Sequence, residues 1–185
     1  MSAWNLPVTM EVGGTVYPIN TDFRDILEIM SYLNDPDRPE MLRWKIAVSL
    51  FYEGEIPGEH LPEAMEKLAA FIGENEKLDN RPRPKLLDWE QDALPIVADI
   101  NKVAGTEIRA LPYLHWWTFL SYFRGIGEGQ LSTIVSIRDK ISRHKKLEKW
   151  EQEFDREHKA QVDLKKRHSA EELAEKERIL KMLGG

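Results

Sequence analysis

The chain has 185 residues, of which 42% are hydrophobic and 31% charged, with a net charge of −6 and a pI of about 5.5. This apolar fraction is enough for a packed core and excludes global disorder, and the acidic balance disfavours nucleic-acid binding. The absence of cysteine excludes disulfides, thiol catalysis and zinc sites built on thiolates. Because neither a signal sequence nor 18 consecutive apolar residues is evident, we expect a cytosolic protein without a membrane span.

The first predicted element is a β-hairpin. Two runs that alternate apolar and polar side chains, residues 7–12 and 15–19, are joined by Gly13-Gly14. Glycine supplies the positive φ angles that a two-residue hairpin turn requires. Because a lone hairpin is marginally stable in water, we expect it to pack on helices.

Helices account for the rest of the predicted structure. Apolar residues at helical spacing, with capping residues or prolines at the starts, predict five to seven helices. The predicted starts are Thr21 or Asp22, Pro39, Pro62, Asp88, Pro112 and Leu131, with a further segment capped by Ser169 and Glu172. Pro95 either kinks the fourth helix or confines it to the residues that follow. The sequence therefore predicts a mainly α fold with a small β element.

Charge is unevenly distributed along the chain. Residues 1–137 hold 12 Lys and Arg against 21 Asp and Glu, whereas residues 138–185 hold 14 against 11. Five of the six Trp lie before position 118. This change of composition predicts a helical body with the N-terminal hairpin over residues 1–140 and a long charged helical arm over residues 141–185.

Residues 88–92, Asp-Trp-Glu-Gln-Asp, hold three carboxylates in five positions. If they begin the fourth helix, Asp88 and Asp92 lie on one face, where together with His115 they would suit a hard metal ion or an acid–base pair. We favour the alternative in which the acidic residues offset the helix dipole and Trp89 belongs to the core. The five His are scattered and no established catalytic motif occurs. The sequence thus predicts no enzyme, no cofactor and no metal site.

Residues 114–119, Leu-His-Trp-Trp-Thr-Phe, form the most unusual hexamer. Its rings would suit a stacking platform for bases or sugars. However, Trp116, Leu120 and Phe123 recur at helical spacing, and residues 113–122 contain no Lys or Arg. We therefore predict that Trp116 packs in the core, as do Trp89 and Phe23.

The predicted arm carries an apolar stripe. Leu147, Trp150, Phe154 and Leu164 fall on one side of a helix whose other sides are almost wholly charged. One interpretation is a solvated helix packed partly on the body, and the other is an arm that offers its stripe to another chain. Exposed apolar side chains at heptad spacing usually find another helix. We therefore predict that these four residues bind a partner.

Four motifs are spaced along residues 15–140. They are Tyr17-x-Ile19-x-Thr21-Asp22-Phe23-Arg24, Asp88-Trp89-Glu90-Gln91-Asp92, Leu114-His115-Trp116-Trp117-x-Phe119 and Ile134-x-x-Ile137-Arg138. In this order they resemble a small protein family of tailed phages and prophages of Gram-positive bacteria, encoded in the tail module near the tape measure protein. Residues 104–109 depart from the pattern of that family, and the chain after Arg138 is not closely covered.

The resemblance implies a tail assembly chaperone that binds the tape measure protein in the host cytoplasm during tail morphogenesis, and it implies no catalytic residues. The expected partners are the tape measure protein, other tail proteins and a second copy of the chain, but neither nucleic acid nor a membrane. One alternative is a minor structural component of the virion tail. An alternative from another class is a metal-dependent hydrolase that uses Asp88, Asp92 and His115.

Overall fold

The computed structural model describes residues 4–73 and 84–165, and contacts between residues group them into two units with these bounds. Residues 74–83 lie outside the described residues. The same holds for the predicted arm beyond residue 165, including the segment capped by Ser169 and Glu172.

The first unit begins with the predicted hairpin. Strands β1 (Thr9–Val12) and β2 (Thr15–Pro18) are antiparallel, and Val12 pairs with Thr15 across the turn. Gly13 and Gly14 have φ angles of 58° and 78°, as this two-residue turn requires. The prediction of the hairpin is confirmed.

Three helices complete the first unit: α1 (Phe23–Leu33), α2 (Glu40–Phe51) and α3 (Leu61–Ile72). Asp22 caps α1, because its carboxylate accepts a hydrogen bond from the Arg24 backbone N–H at 3.0 Å. The helices bury a shared apolar core with the hairpin. Its members are Met10, Val12, Ile19, Phe23, Ile26, Ile29, Ala47, Val48, Phe51, Tyr52, Ala64, Leu68 and Phe71.

Helix α3 and the chain after α2 hold the hairpin in place. Lys67 donates a hydrogen bond to the Glu11 carbonyl, and Glu63 accepts one from the Gly13 N–H at 3.0 Å. The buried Tyr52 hydroxyl donates to the Ala64 carbonyl at 3.1 Å, and burial raises the pKa of Tyr52 well above its ordinary value. The first two contacts hold β1 and the turn of the hairpin on α3.

The second unit contains five helices: α4 (Ala93–Ala104), α5 (Trp116–Arg124), α6 (Gln130–Ser142), α7 (Lys149–Glu157) and α8 (Lys159–Val162). Helix α4 packs against α5 and α6, and α8 packs against α6 and α7. Their buried apolar residues are Ile96, Ile100, Ile108, Leu114, Trp116, Trp117, Phe119, Leu120, Leu131, Ile134, Ile137 and Val162.

Two predicted helix starts are wrong. Helix α4 begins at Ala93 rather than Asp88, because residues 89–92 form a turn, and Pro95 then lies in the first helical turn. Helix α5 begins at Trp116 rather than near Pro112, because the His115 side chain accepts a hydrogen bond from the Trp117 N–H and caps the helix.

The mainly α fold with an N-terminal hairpin is confirmed. The described residues hold eight α-helices, more than the five to seven predicted, because the region after residue 130 is divided into three. His144 adopts a positive φ of 53° between α6 and α7, a conformation that no regular helix contains. Residues 131–165 therefore do not form one continuous helix. The predicted domain boundary near residue 140 stays a prediction.

Candidate functional site

The turn at residues 88–92 is built by its own carboxylates. Asp88 Oδ1 accepts hydrogen bonds from the backbone N–H groups of Glu90 and Gln91, at 3.1 and 3.0 Å, and Oδ2 pairs with Lys85 at 2.7 Å. Burial alone would raise the pKa of Asp88, but these hydrogen bonds and the lysine charge lower it to about 2. Asp88 therefore stabilises the turn as an anion.

Trp89, in the middle of this turn, joins a cluster of aromatic rings. Its ring lies 5.9 Å from Trp116, 6.0 Å from Phe119 and 5.0 Å from Phe123, measured between ring centroids. Trp116 is buried and stacks on Phe119 at 5.4 Å, whereas Trp89 is only half-buried. The predicted core positions of Trp116 and Phe23 are confirmed, and a stacking platform at Trp116 would have no exposed ring face to offer.

Asp92 forms a buried ion pair with Arg138 of α6. The two guanidinium Nη atoms donate to the two carboxylate oxygens at 2.7 and 2.8 Å, and the side chains are only 1% and 4% exposed. The Asp88 backbone N–H also donates to Asp92, at 2.9 Å. The turn is thereby fastened to α6 by a bidentate, charge-assisted contact.

The same arginine and the neighbouring Gln91 hold the end of the described chain. Arg138 donates to the backbone carbonyls of Leu86, Gln161 and Val162. The Gln91 amide donates to the Asp163 carbonyl at 2.8 Å and accepts from the Lys165 N–H at 2.9 Å. Residues 160–165 are thus bound through their backbone to the turn and to α6.

The first turn of α6 is held by the buried carboxylate of Asp99. Asp99 of α4 accepts a hydrogen bond from the Leu131 N–H at 3.0 Å and pairs with Lys102 at 2.7 Å. Gly129 packs so closely on this carboxylate that a Cβ there would lie 2.4 Å from Asp99 Oδ2. Only glycine fits this position without moving the carboxylate that caps α6.

The three residues of the alternative metal-dependent hypothesis, Asp88, Asp92 and His115, are each engaged by other groups of the chain. The oxygens of Asp88 and Asp92 are engaged by backbone N–H groups, Lys85 and Arg138, and His115 Nδ1 accepts from the Trp117 N–H at 3.0 Å. All three residues are buried. In the part of the chain that the structure describes, no group of three or more His, Asp and Glu side chains is placed to hold a metal ion.

Helix α7 is held on α6 by the buried carboxylate of Glu151. Glu151 is almost fully buried, pairs with Lys140 at 2.6 Å and accepts from the Glu148 N–H at 2.8 Å. The lysine hydrogen bond, followed by the backbone hydrogen bond, lowers the pKa of Glu151. The region after α6 is therefore partly packed on its own unit.

This arrangement separates the four predicted partner-binding residues. Leu147 precedes α7, Trp150 and Phe154 lie on α7, and Leu164 follows α8. Leu147, Phe154 and Leu164 are half-buried, and the Phe154 ring lies 4.5 Å from that of His158. Trp150 is 54% exposed, with its indole N–H donating to Glu148 at 3.2 Å. Of the predicted stripe, Trp150 is the side chain that the structure leaves most open to a partner.

The segment that precedes α7 in the chain carries exposed basic and apolar side chains. Lys145 and Lys146, in the loop between α6 and α7, are exposed and have no ion-pair partner among the described residues. Ile141, in the last turn of α6, is also exposed. A large exposed ring such as that of Trp150 is typical of an interaction surface.

Sequence reasoning missed Arg138, Gln91 and Glu151 as the residues that connect these segments. For Arg138 the sequence did carry a signal. Arg138 lies four residues after Ile134 and directly after Ile137, on the apolar face of α6. A charged residue on such a face needs a buried partner of opposite sign. For Gln91 and Glu151 the sequence carried no comparable signal, since both lie among other charged and polar residues.

Two further observations concern membrane spanning and the family of the chain. No helix among the described residues is long and apolar enough to cross a membrane. Neither the curated proteins nor the solved structures include a significant match. A family model described as "Bacteriophage Gp15 protein" matches residues 4–164, which include the turn at 88–92, α6 and α7. The chain therefore belongs to the bacteriophage Gp15 protein family, which suggests a structural or assembly-related phage protein.

Proposed function

We propose that this protein is a tail assembly chaperone that binds the tape measure protein during tail morphogenesis. Membership of a bacteriophage family supports a role in making the particle, and the four sequence motifs resemble tail-module proteins of phages of Gram-positive bacteria. We place its action in the host cytoplasm, where a long, partly apolar tape measure chain would aggregate if left uncovered. It acts by binding and not by catalysis, and it needs no cofactor.

The observation that carries this proposal is the exposure of Trp150 on a helix that is itself fixed. The pair of the buried Glu151 with the half-buried Lys140 holds α7 on α6, while Trp150 stays 54% exposed on the same helix. A rigidly held aromatic side chain loses little conformational entropy when a partner covers it. Trp150 would therefore anchor an apolar stripe of the client.

Co-expression with the tape measure protein of the same phage, followed by co-purification, tests the proposal. We expect the wild-type chain to co-purify and Trp150→Ser to bind with a loss of about 2 kcal/mol or more, roughly thirtyfold in Kd. Leu94→Ser is the matched control, because Leu94 is an exposed apolar side chain on α4 of the same unit. Failure of the wild-type chain to co-purify would refute the chaperone role.

The half-buried Phe154 separates client binding from stability. Phe154→Ser removes a ring that contacts His158, so we expect it to lower the melting temperature, whereas Trp150→Ser should leave it nearly unchanged. If Trp150→Ser melted as early as Phe154→Ser in dilute solution, Trp150 would be part of the packing and not a binding anchor.

The second candidate is a minor structural component that stays in the virion tail, which the same family membership supports. Mass spectrometry of purified particles distinguishes the two functions. A chaperone is absent from finished tails, whereas a structural component is present in a fixed ratio to the other tail proteins.

A further inference from the structure

Helix α2 carries apolar side chains on every side. Eight of its twelve residues are apolar, and one face, with Ala47, Val48 and Phe51, is buried against the neighbouring helices α1 and α3. A helix that is apolar all round is normally buried all round. Helix α2 is not, because its opposite side remains exposed.

The uncovered side of α2 has a defined composition. Leu42, Lys45 and Ser49 are exposed at helical spacing along it, with Met41 and the half-buried Ile46 at its margins. Met41 is 55% exposed and Leu42 is 44% exposed. We name these five residues the α2 outer face; three of them are apolar, and Lys45 and Ser49 are the polar members.

Charge indicates what kind of partner would cover this face. Residues 4–73 hold five Lys and Arg against twelve Asp and Glu, a net charge of −7. An exposed carboxylate precedes α2 at Asp37, another begins the helix at Glu40, and two follow it at Glu53 and Glu55. Two copies of this unit meeting face to face would bring like charges together, which disfavours a second copy as the occupant.

We propose that the α2 outer face binds an amphipathic helix of a partner protein, whose apolar stripe is flanked by Lys and Arg. The apolar stripe would cover Met41, Leu42 and Ile46, and the flanking cations would face the carboxylates at the two ends of α2. This is the geometry of a helix lying along a helix, with specificity from complementary charge. The site lies in a different unit from Trp150, so it goes beyond the proposed function and does not rest on it.

Because the chain has no cysteine, single-cysteine footprinting of the full chain tests this assignment. Leu42→Cys reports on the α2 outer face, and Leu94→Cys is the matched control, an exposed leucine in the first turn of another twelve-residue helix. The probe is an amphipathic helical peptide of about 18 Leu and Lys residues, compared with its Leu and Glu counterpart. The readout is the rate of thiol labelling.

We expect both thiols to label at the rate of exposed groups in the free protein. The Leu and Lys peptide, at about ten times its Kd, should slow labelling of Leu42→Cys roughly tenfold and leave Leu94→Cys unchanged. The Leu and Glu peptide should protect neither position. If Leu42→Cys fails to fold, Met41→Cys reports on the same face.

Several outcomes would overturn the proposal. Equal protection by both peptides, or protection of Leu94→Cys as well, would show that binding is not specific to this face. No protection at all would show that the face does not bind such a helix. Slow labelling of Leu42→Cys in the free protein would show that the α2 outer face is already covered. A labelling rate that does not depend on protein concentration would mean that this chain itself covers the face. A rate that falls as the protein concentration rises would mean that a second copy covers it.

Discussion

Asp92→Asn removes the negative charge from the buried pair that Asp92 forms with Arg138. In the native protein both carboxylate oxygens accept from the guanidinium, and one also accepts from the Asp88 N–H. An asparagine in either orientation places an amide N–H against one of these donors. The buried arginine would then have only neutral acceptors: the one remaining amide oxygen at position 92 and the carbonyl oxygens of Leu86, Gln161 and Val162.

The size of the effect follows from burial. An exposed ion pair contributes at most about 1 kcal/mol to stability, but removing one partner of a buried pair leaves an uncompensated charge and costs about 3–5 kcal/mol. With side chains 1% and 4% exposed, the pair of Asp92 with Arg138 belongs to the second class. A loss of this size is a large part of the roughly 5–15 kcal/mol that stabilises a typical domain, and it lowers Tm by roughly 10–20 °C.

Urea unfolding and thermal melting of Asp92→Asn measure the loss. Asp139→Asn is the matched control, since Asp139 is the next residue after Arg138 on α6 and forms an ion pair with the more exposed Arg143. We expect Asp139→Asn to cost less than about 1 kcal/mol. If Asp92→Asn lost as little unfolding free energy as Asp139→Asn, the reasoning would be refuted, because the buried ion pair would then contribute no more than an exposed one.

Three further predictions concern the same unit. Gly129→Ala should lower the free energy of unfolding by about 1–3 kcal/mol, because its Cβ would collide with Asp99. Gly127→Ala should have little effect, because nothing lies within 4 Å of a Cβ at that position. Equal melting temperatures of the two variants would contradict the close approach of Gly129 to Asp99. The pKa of Asp88 is depressed from 3.8 to about 2 in the folded state, so its contribution to stability is complete above about pH 4 and is lost as the pH falls towards 2. The free energy of unfolding in urea should therefore depend less on pH in this range for Asp88→Asn than for the wild type. Identical pH dependence of the two proteins would exclude a stabilising role for the Asp88 anion. Melting curves with EDTA and with added magnesium, manganese or zinc should coincide, because the carboxylates of the turn at 88–92 are already engaged; a shift abolished by Asp92→Asn would instead indicate a metal site.

Local features of the sequence were enough to predict the elements that local chemistry builds. The hairpin follows from two glycines that can adopt positive φ between two alternating runs. Helix α1 follows from its apolar spacing and from the Asp22 cap, which reaches only two residues along the chain. These predictions depend on contacts between neighbours in sequence, and such contacts are visible in the order of residues.

Competition between short-range interactions misled the prediction at residues 88–92. The pattern of apolar residues from Trp89 onward favours a helix, but the Asp88 carboxylate binds the backbone N–H groups of Glu90 and Gln91 and closes a turn instead. Aspartate offers the backbone this alternative to a helix. Spacing alone does not show which of the two wins, because the aromatic cluster around Trp89 also contributes to the choice.

The predicted partner-binding stripe shows what only the tertiary structure decided. Periodicity correctly marked Trp150 and Phe154 as residues of one helix, but the break at His144 and the pair of Glu151 with Lys140 arise from contacts between segments. Residues 84–165 hold thirteen acidic and thirteen basic residues, so composition offers Arg138 many candidate partners. Asp92 lies 46 positions away and becomes the partner of Arg138 because folding buries both charges together. An unpaired buried charge costs so much free energy that this pairing is selected over pairing with any of the exposed acidic residues.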